Sequence, residues 1–216
     1  MNLSSTPKST IKVVAFDCDG VMFDTQATNR RFYNTLLESF KLPAMTEDQF
    51  RFVHMATVSQ ALDHLFKGKV SMEEAKKRAA AFDYEELIPH MVMEPHLISL
   101  LKSLAPHFKR AIATNRSNTM EPLMKAHGLT PFFELVVTST DVKTPKPAPD
   151  QLHLIMNHFA VAPQEVLYIG DSPTDQMAAE RAGVPFVAFG NPSLKAQTHM
   201  NRLDEVAQFL HLEKKG

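Results

Sequence analysis

The chain has 216 residues, 44% of them hydrophobic, and its 23 Lys and Arg against 24 Asp and Glu leave a formal net charge of -1. That is apolar material enough for one globular core or a core with a small insert, and no global field that would draw the chain to nucleic acid or an anionic membrane. A single cysteine, Cys18, excludes an internal disulfide and a thiolate metal cluster and suits a reducing compartment. The opening MNLSSTPKST has no apolar stretch of signal-peptide length, and no later run approaches a membrane span, so a cytoplasmic protein is expected.

In chain order, IKVVAF reads as a buried strand that runs out at Phe16 into FDCDGV. Positions two apart in an extended segment face the same side, so Asp17 and Asp19 are delivered to one place, with Gly20 marking a tight turn. The region from about Thr25 to Met91 has no convincing strand. It carries helical patterns in NRRFYNTLLESF, TEDQFRFVHMATVSQALDHLF and SMEEAKKRAAAFDYEEL, broken by LPAM and KGKVS, which predicts a helical insert after the first strand. Beyond it, RAIAT, LVVTS, VLYIG and PFVAF read as further strands, separated by helical stretches such as LISLLKSL, DQLHLIMNHF and TDQMAAERAG. HMNRLDEVAQFLHL reads as a last packing helix. Alternation of strand and helix predicts a parallel sheet with helices on both faces.

The strand ends carry polar residues of particular kinds. Asp17 and Asp19 follow the first, Thr114 and Asn115 follow RAIAT, Lys146 lies in VKTPKPAPD after LVVTS, and Asp171 follows VLYIG with Asp175 one turn on. The carboxyl ends of a parallel sheet share one edge, so these groups converge although the chain separates them. Several acids, a lysine and a hydroxyl together suit a hard divalent cation and an anionic group. Taken alone, the Asp17–Asp19 pair also fits a solvated acidic turn, Thr114 a helix cap, and Lys143 competes with Lys146. The ten histidines show no zinc spacing.

The ordered strings FDCDGV, IATN, KPAPD and GDSPTD resemble the four motifs of the haloacid dehalogenase superfamily, in the branch of phosphoglycolate phosphatases and beta-phosphoglucomutases. The resemblance implies a three-layer Rossmann-like α/β core over residues 1–20 and 92–216, interrupted by an α-helical cap over residues 21–91. It implies a nucleophile at Asp17, a general acid and base at Asp19 with a pKa raised toward neutrality, and charge neutralisation by Lys146. Phosphate is then expected at Thr114, Asn115 and Lys146, and Mg2+ at Asp17, the Asp19 carbonyl and Asp171, with Asp175 and Gly20 supporting. Asp19 points to phosphate esters, because family members that cleave carbon–halogen bonds lack this second acid.

Selectivity is expected from the cap, with Arg30, Arg31, Arg51, His54 and Thr57 as candidates. Hexose-phosphate mutases of this architecture have a basic, glycine-containing stretch where this chain has HMATV, and a histidine where it has Asn29. The expected activity is therefore a magnesium-dependent phosphatase acting on a small phosphorylated metabolite, as a monomer or homodimer. A phosphotransferase or mutase, a dehalogenase, and a non-catalytic binding protein on the same fold are the alternatives.

Overall fold

The computed structural model describes residues 11–82, 86–88 and 91–212. The chain opens with β1 (Val13–Phe16) and the two-residue β2 (Phe23–Asp24), then four helices, α1 (Gln26–Ser39), α2 (Glu47–Met55), α3 (Val58–Phe66) and α4 (Met72–Ala81). After β3 (Val92–Met93) it alternates: α5 (Leu97–Leu104), β4 (Lys109–Ala113), α6 (Met120–Ala126), β5 (Leu135–Val137) and α7 (Asp150–Phe159). It ends with β6 (Val166–Gly170), α8 (Pro173–Ala182), β7 (Phe186–Phe189), β8 (Thr198–Met200) and α9 (Asp204–Phe209).

Six strands form one parallel sheet in the order β5-β4-β1-β6-β7-β8. Every residue of β1 is buried, as its unbroken apolar run requires of a strand covered on both faces. Val14 and Phe16 pack on one face with Leu97, Leu101 and Leu104 of α5, Leu123 of α6 and Val206 of α9. Val13 and Ala15 pack on the other with Leu152 and Ile155 of α7 and Ala178 and Ala179 of α8. The result is the three-layer α/β core expected from the sequence. Winding proceeds outward from β1 to β4 and β5, then resumes on the opposite side at β6, so a crevice opens beyond the carboxyl ends of β1 and β6.

Helices α1 to α4 have an apolar cluster of their own, with Phe32, Tyr33, Leu36 and Leu37 against Phe50, Leu62, Leu65, Phe66 and Ala75. Two strands of chain lead to and from it and pair antiparallel as the β2–β3 ribbon. The pattern TEDQFRFVHMATVSQALDHLF, expected as one helical stretch, is two helices. Ala56 and Thr57 are extended between them, and Thr57 caps α3 in a reciprocal box with Gln60. Thr46 makes the same box with Gln49 at the start of α2. The last expected helix is shorter than its pattern, because His199 and Met200 belong to the edge strand β8. Part of the AAAFDYEEL pattern, the first ten residues and the Lys-rich end lie outside the described residues. Among the described residues no helix is long and apolar enough to cross a membrane.

Candidate active site

Asp17 leaves β1 with its backbone N–H donating to Ile169 O at 2.8 Å, which ties the first residue of the loop to β6. Its Oδ1 lies 2.8 Å from Lys146 Nζ, and the same ammonium lies 2.6 Å from Asp175 Oδ1. Lys146 also donates to Tyr168 Oη and to Ala113 O, both at 2.9 Å, and is only 2% exposed. A lysine so deep in the core is tolerated only because anions and acceptors surround it. Lys143, the competing lysine, is exposed.

Asp175 is fully committed to this support. Its Oδ1 accepts from Lys146 and Tyr168, and its Oδ2 accepts from the Ser172 backbone N–H and hydroxyl. Close approach here depends on Gly170, where a Cβ would meet Asp175 Cβ at 2.4 Å. Asp171 is the less engaged carboxylate, since no described protein donor bonds its side chain. It lies over Gly20, whose φ is +81° and whose added Cβ would fall 2.0 Å from Asp171 Oδ2. Oxygens of Asp17, Asp171 and Asp175 come within 4.8 Å of one another.

Such crowding has electrostatic consequences. Burial, the charge of Asp175 and that of Asp19 push the Asp17 carboxyl up to about 7, although Lys146 opposes the shift. Burial together with Asp175 and Asp17 also carries Asp171 well above the carboxylate range. Burial alone would lower Lys146, but Asp17 and Asp175 outweigh it and raise the pKa, so the ammonium stays charged. Three carboxylates against one ammonium leave an excess of negative charge that a hard divalent cation would relieve. The donors are all oxygen, and Asp17 and Asp171 retain acceptor capacity after the bonds described above, so the residues fit such an ion.

Asp19 departs from expectation. Burial would raise it, but Arg116 grips both of its oxygens, Nε to Oδ2 at 2.8 Å and Nη2 to Oδ1 at 2.7 Å, and holds it below the usual carboxylate range. Arg116 is buried, and its own N–H donates to Thr114 Oγ1 at 3.1 Å. Sequence reasoning missed it, although it directly follows IATN. Its partner lies 97 positions away, a pairing that no local pattern encodes.

Thr114 is fully buried where β4 ends. Asn115 donates to Lys146 O at 3.1 Å, and its Oδ1 is buried without a partner. A cavity of about 500 Å³ opens over these groups and is lined by Asp17, Asp19, Thr114, Asn115, Arg116, Lys146 and Asp171 on the sheet side. Of the cap candidates, His54 lines it. Burial, outweighing Asp19 and Asp24, lowers its pKa and favours the neutral ring, and Asn29 Nδ2 lies 3.1 Å from its Nδ1. Arg30, Arg31, Arg51 and Thr57 do not border the cavity. Arg30 pairs with Glu47 and lies over the Phe50 ring, Arg31 is exposed, Arg51 pairs with Asp48, and Thr57 is occupied as the α3 cap. Cys18 is buried, and burial with the nearby Asp19 charge raises its thiol pKa, in keeping with a packing role.

The sequence model of the family described as haloacid dehalogenase-like hydrolase matches residues 14–189. The chain is 28% identical over 202 residues to the phosphoglycolate phosphatase of Escherichia coli strain K12, covering 82% of this chain and 80% of that protein. Among solved structures, a HAD-superfamily hydrolase of subfamily IA, variant 1, from Geobacter sulfurreducens superposes with a TM-score of 0.77 at 38% identity, over 93% of this chain and 97% of that one. The beta-phosphoglucomutase of Clostridium difficile has a TM-score of 0.82 at 20% identity, over 93% and 97%, a likeness of fold alone.

Proposed function

This chain belongs to the haloacid dehalogenase-like hydrolase family and is a phosphohydrolase, and from that premise we propose that it is a magnesium-dependent phosphatase of small phosphomonoesters working through an aspartyl-phosphate. One observation carries the reading. Buried Lys146 joins Asp17 to Asp175 while Asp171 closes over Gly20, at the crevice where the order of the sheet reverses.

In this account a carboxylate oxygen of Asp17 attacks phosphorus, the bond from phosphorus to the ester oxygen breaks, and Asp19 delivers a proton to that departing oxygen. Asp19 then takes a proton from water as the water oxygen attacks phosphorus, the bond to Asp17 breaks, and inorganic phosphate leaves. Lys146 offsets negative charge on Asp17 and on the transferring group, while Thr114 and the backbone about Asn115 receive the phosphoryl oxygens. Asp17, Asp171 and the Asp19 carbonyl would hold Mg2+, which supplies further charge neutralisation at the phosphoryl oxygens. Asp175 serves by fixing Lys146. Gripped by both arms of Arg116, Asp19 carries no proton; to act as the acid it must first take one up from solvent or from the substrate's phosphate monoanion, so substrate binding is expected to open that pair.

We also assign residues 1–20 and 92–216 to the catalytic core and 21–91 to a cap that covers the phosphate. The separate apolar cluster of α1 to α4 and the narrow β2–β3 connection support this division. The test is phosphate release from a panel of phosphomonoesters, with Mg2+ or a chelator. Metal-dependent release is the expected result. Interconversion of isomers without release would point to a mutase, and inertness across the panel would overturn catalysis.

A further inference from the structure

The sheet side and the cap side of the cavity differ in chemistry. Toward the sheet it is a wall of charges. Toward the cap it is lined by Phe32, Tyr33, Val53, Met55, Leu62 and Phe82, with Asn29, His54, Ser59 and Lys76 as the polar members of that side among the described residues. Phe32, Tyr33, Val53 and Leu62 are each buried, and the Phe32 ring makes edge contacts with both Tyr33 and Phe82.

From this contrast we propose that the substrate's leaving group is uncharged, largely apolar and preferably aromatic, considerably bulkier than a two-carbon acid. This rests on the phosphatase reading above and deepens it. The first argument is volume. At about 500 Å³ the cavity far exceeds the space a single water needs, and a phosphoryl group fills only a minor part of it. The second is charge. A leaving-group carboxylate would need a cation on the cap side, and Lys76, the one such residue bordering the cavity among the described residues, is exposed. Arg30 and Arg51 are paired outside the cavity, and Arg116 is engaged with Asp19. A carboxylate placed against those aromatic rings would lose hydration with no buried cation on that side, among the described residues, to offset its charge. An aromatic group gains edge or stacking contacts there. The third is the polar pair. With Asn29 donating to Nδ1, the neutral form of His54 carries its proton on Nε2, a donor without a full charge that can orient a polar atom of an otherwise apolar leaving group.

The test compares binding and turnover in the same protein. Calorimetry with Mg2+ measures the wild type against 1-naphthylmethylphosphonate and phosphonoacetate, and kcat/KM is measured for 1-naphthylmethyl phosphate and 2-phosphoglycolate, both of which release an alkoxide-type leaving group. The aryl compound is expected to win by about tenfold or more in both, from the extra apolar area it buries. Ala80→Phe and Val58→Trp, at exposed positions bordering the cavity, should narrow it and cut that preference by roughly threefold or more. Equal or tighter phosphonoacetate binding, or a preference unmoved by both variants, would overturn the inference. Hydrolysis favouring phosphoglycolate would refute it and leave the phosphatase reading standing. Preferential naphthyl binding with no ester hydrolysed would support the inferred ligand class and remove the phosphatase reading instead.

Discussion

The two sides of the cavity are built on opposite principles. On the sheet side Lys146, Asp175, Asp19 and Arg116 each hold several directed partners in a buried network, so their positions are over-determined. On the cap side the wall is mostly packed apolar side chains, with the Asn29–His54 contact among its few polar features. Directed bonds fix where a charge can develop, and packed walls fix only what shape and polarity fit. The proposed function puts chemistry on the sheet side and selectivity on the cap side, so substitutions on the two sides should fail in different ways.

The largest effect is expected at the proposed nucleophile. Asp17→Asn should reduce kcat by about 10⁴-fold or more with every substrate alike, measured by phosphate release. Lys146→Ala should follow, losing about 10²-fold or more in kcat. It should also lose stability, because it strands two buried carboxylates, and denaturant unfolding should show a cost of about 3–5 kcal/mol. Arg116→Ala should cost about 10- to 100-fold by unseating Asp19, and less for alkyl phosphates than for 4-nitrophenyl phosphate, because Asp19 freed from the cation that depresses its pKa takes up a proton more readily and alkyl leaving groups need that proton. A loss independent of leaving group would mean that Arg116 only supports the loop. Arg51→Ala, outside the cavity, should leave kcat/KM unchanged for all substrates; a selective change would blur the division between cap wall and cap surface.

The charge excess on the sheet side makes a further prediction. The Asp17 carboxyl ordinarily titrates at 3.8 and is carried up to about 7 in the fold. Between those values the folded chain keeps a proton that the unfolded chain has lost, so without metal this group makes stability fall as pH rises through that window. In the proposed function Mg2+ bound at Asp17 would compete with that proton. Its effect on Tm should therefore be small at about pH 5 and grow toward about pH 8. In the metal-free state, Asp17→Asn should raise Tm at about pH 8, by roughly 2–4 °C for each kcal/mol of repulsion removed. A metal effect independent of pH would contradict the crowded-carboxylate account.

Much of this was legible in the sequence because it is written in short segments. IKVVAF, RAIAT, LVVTS, VLYIG and PFVAF are short stretches rich in apolar β-formers, and each supplies a strand of the sheet. The groups at their ends meet because a parallel sheet aligns carboxyl termini. What escaped was not written locally. Thr198–Met200 has no alternation to mark a strand and is one through pairing with β7. The α2–α3 break was hidden because Val53, Ala61, Leu62 and Leu65 read as one continuing apolar pattern, while Thr57 with Gln60 gives the only cue to a new helix start. The Asp19 environment depended on Arg116, and the choice among cap residues depended on which helix face turns toward the sheet. Arg30 and Arg51 were plausible by charge, but both are satisfied by acids on the cap itself.

The central claim is covalent attack by Asp17, and rapid acid quenching with a 32P-labelled aryl phosphomonoester tests it most directly. The account predicts a transient, acid-stable, hydroxylamine-labile label that maps to the peptide containing Asp17 and accumulates before phosphate is released. Phosphate release at full rate with no protein-bound label, or with an acid-stable label on another residue, would contradict it.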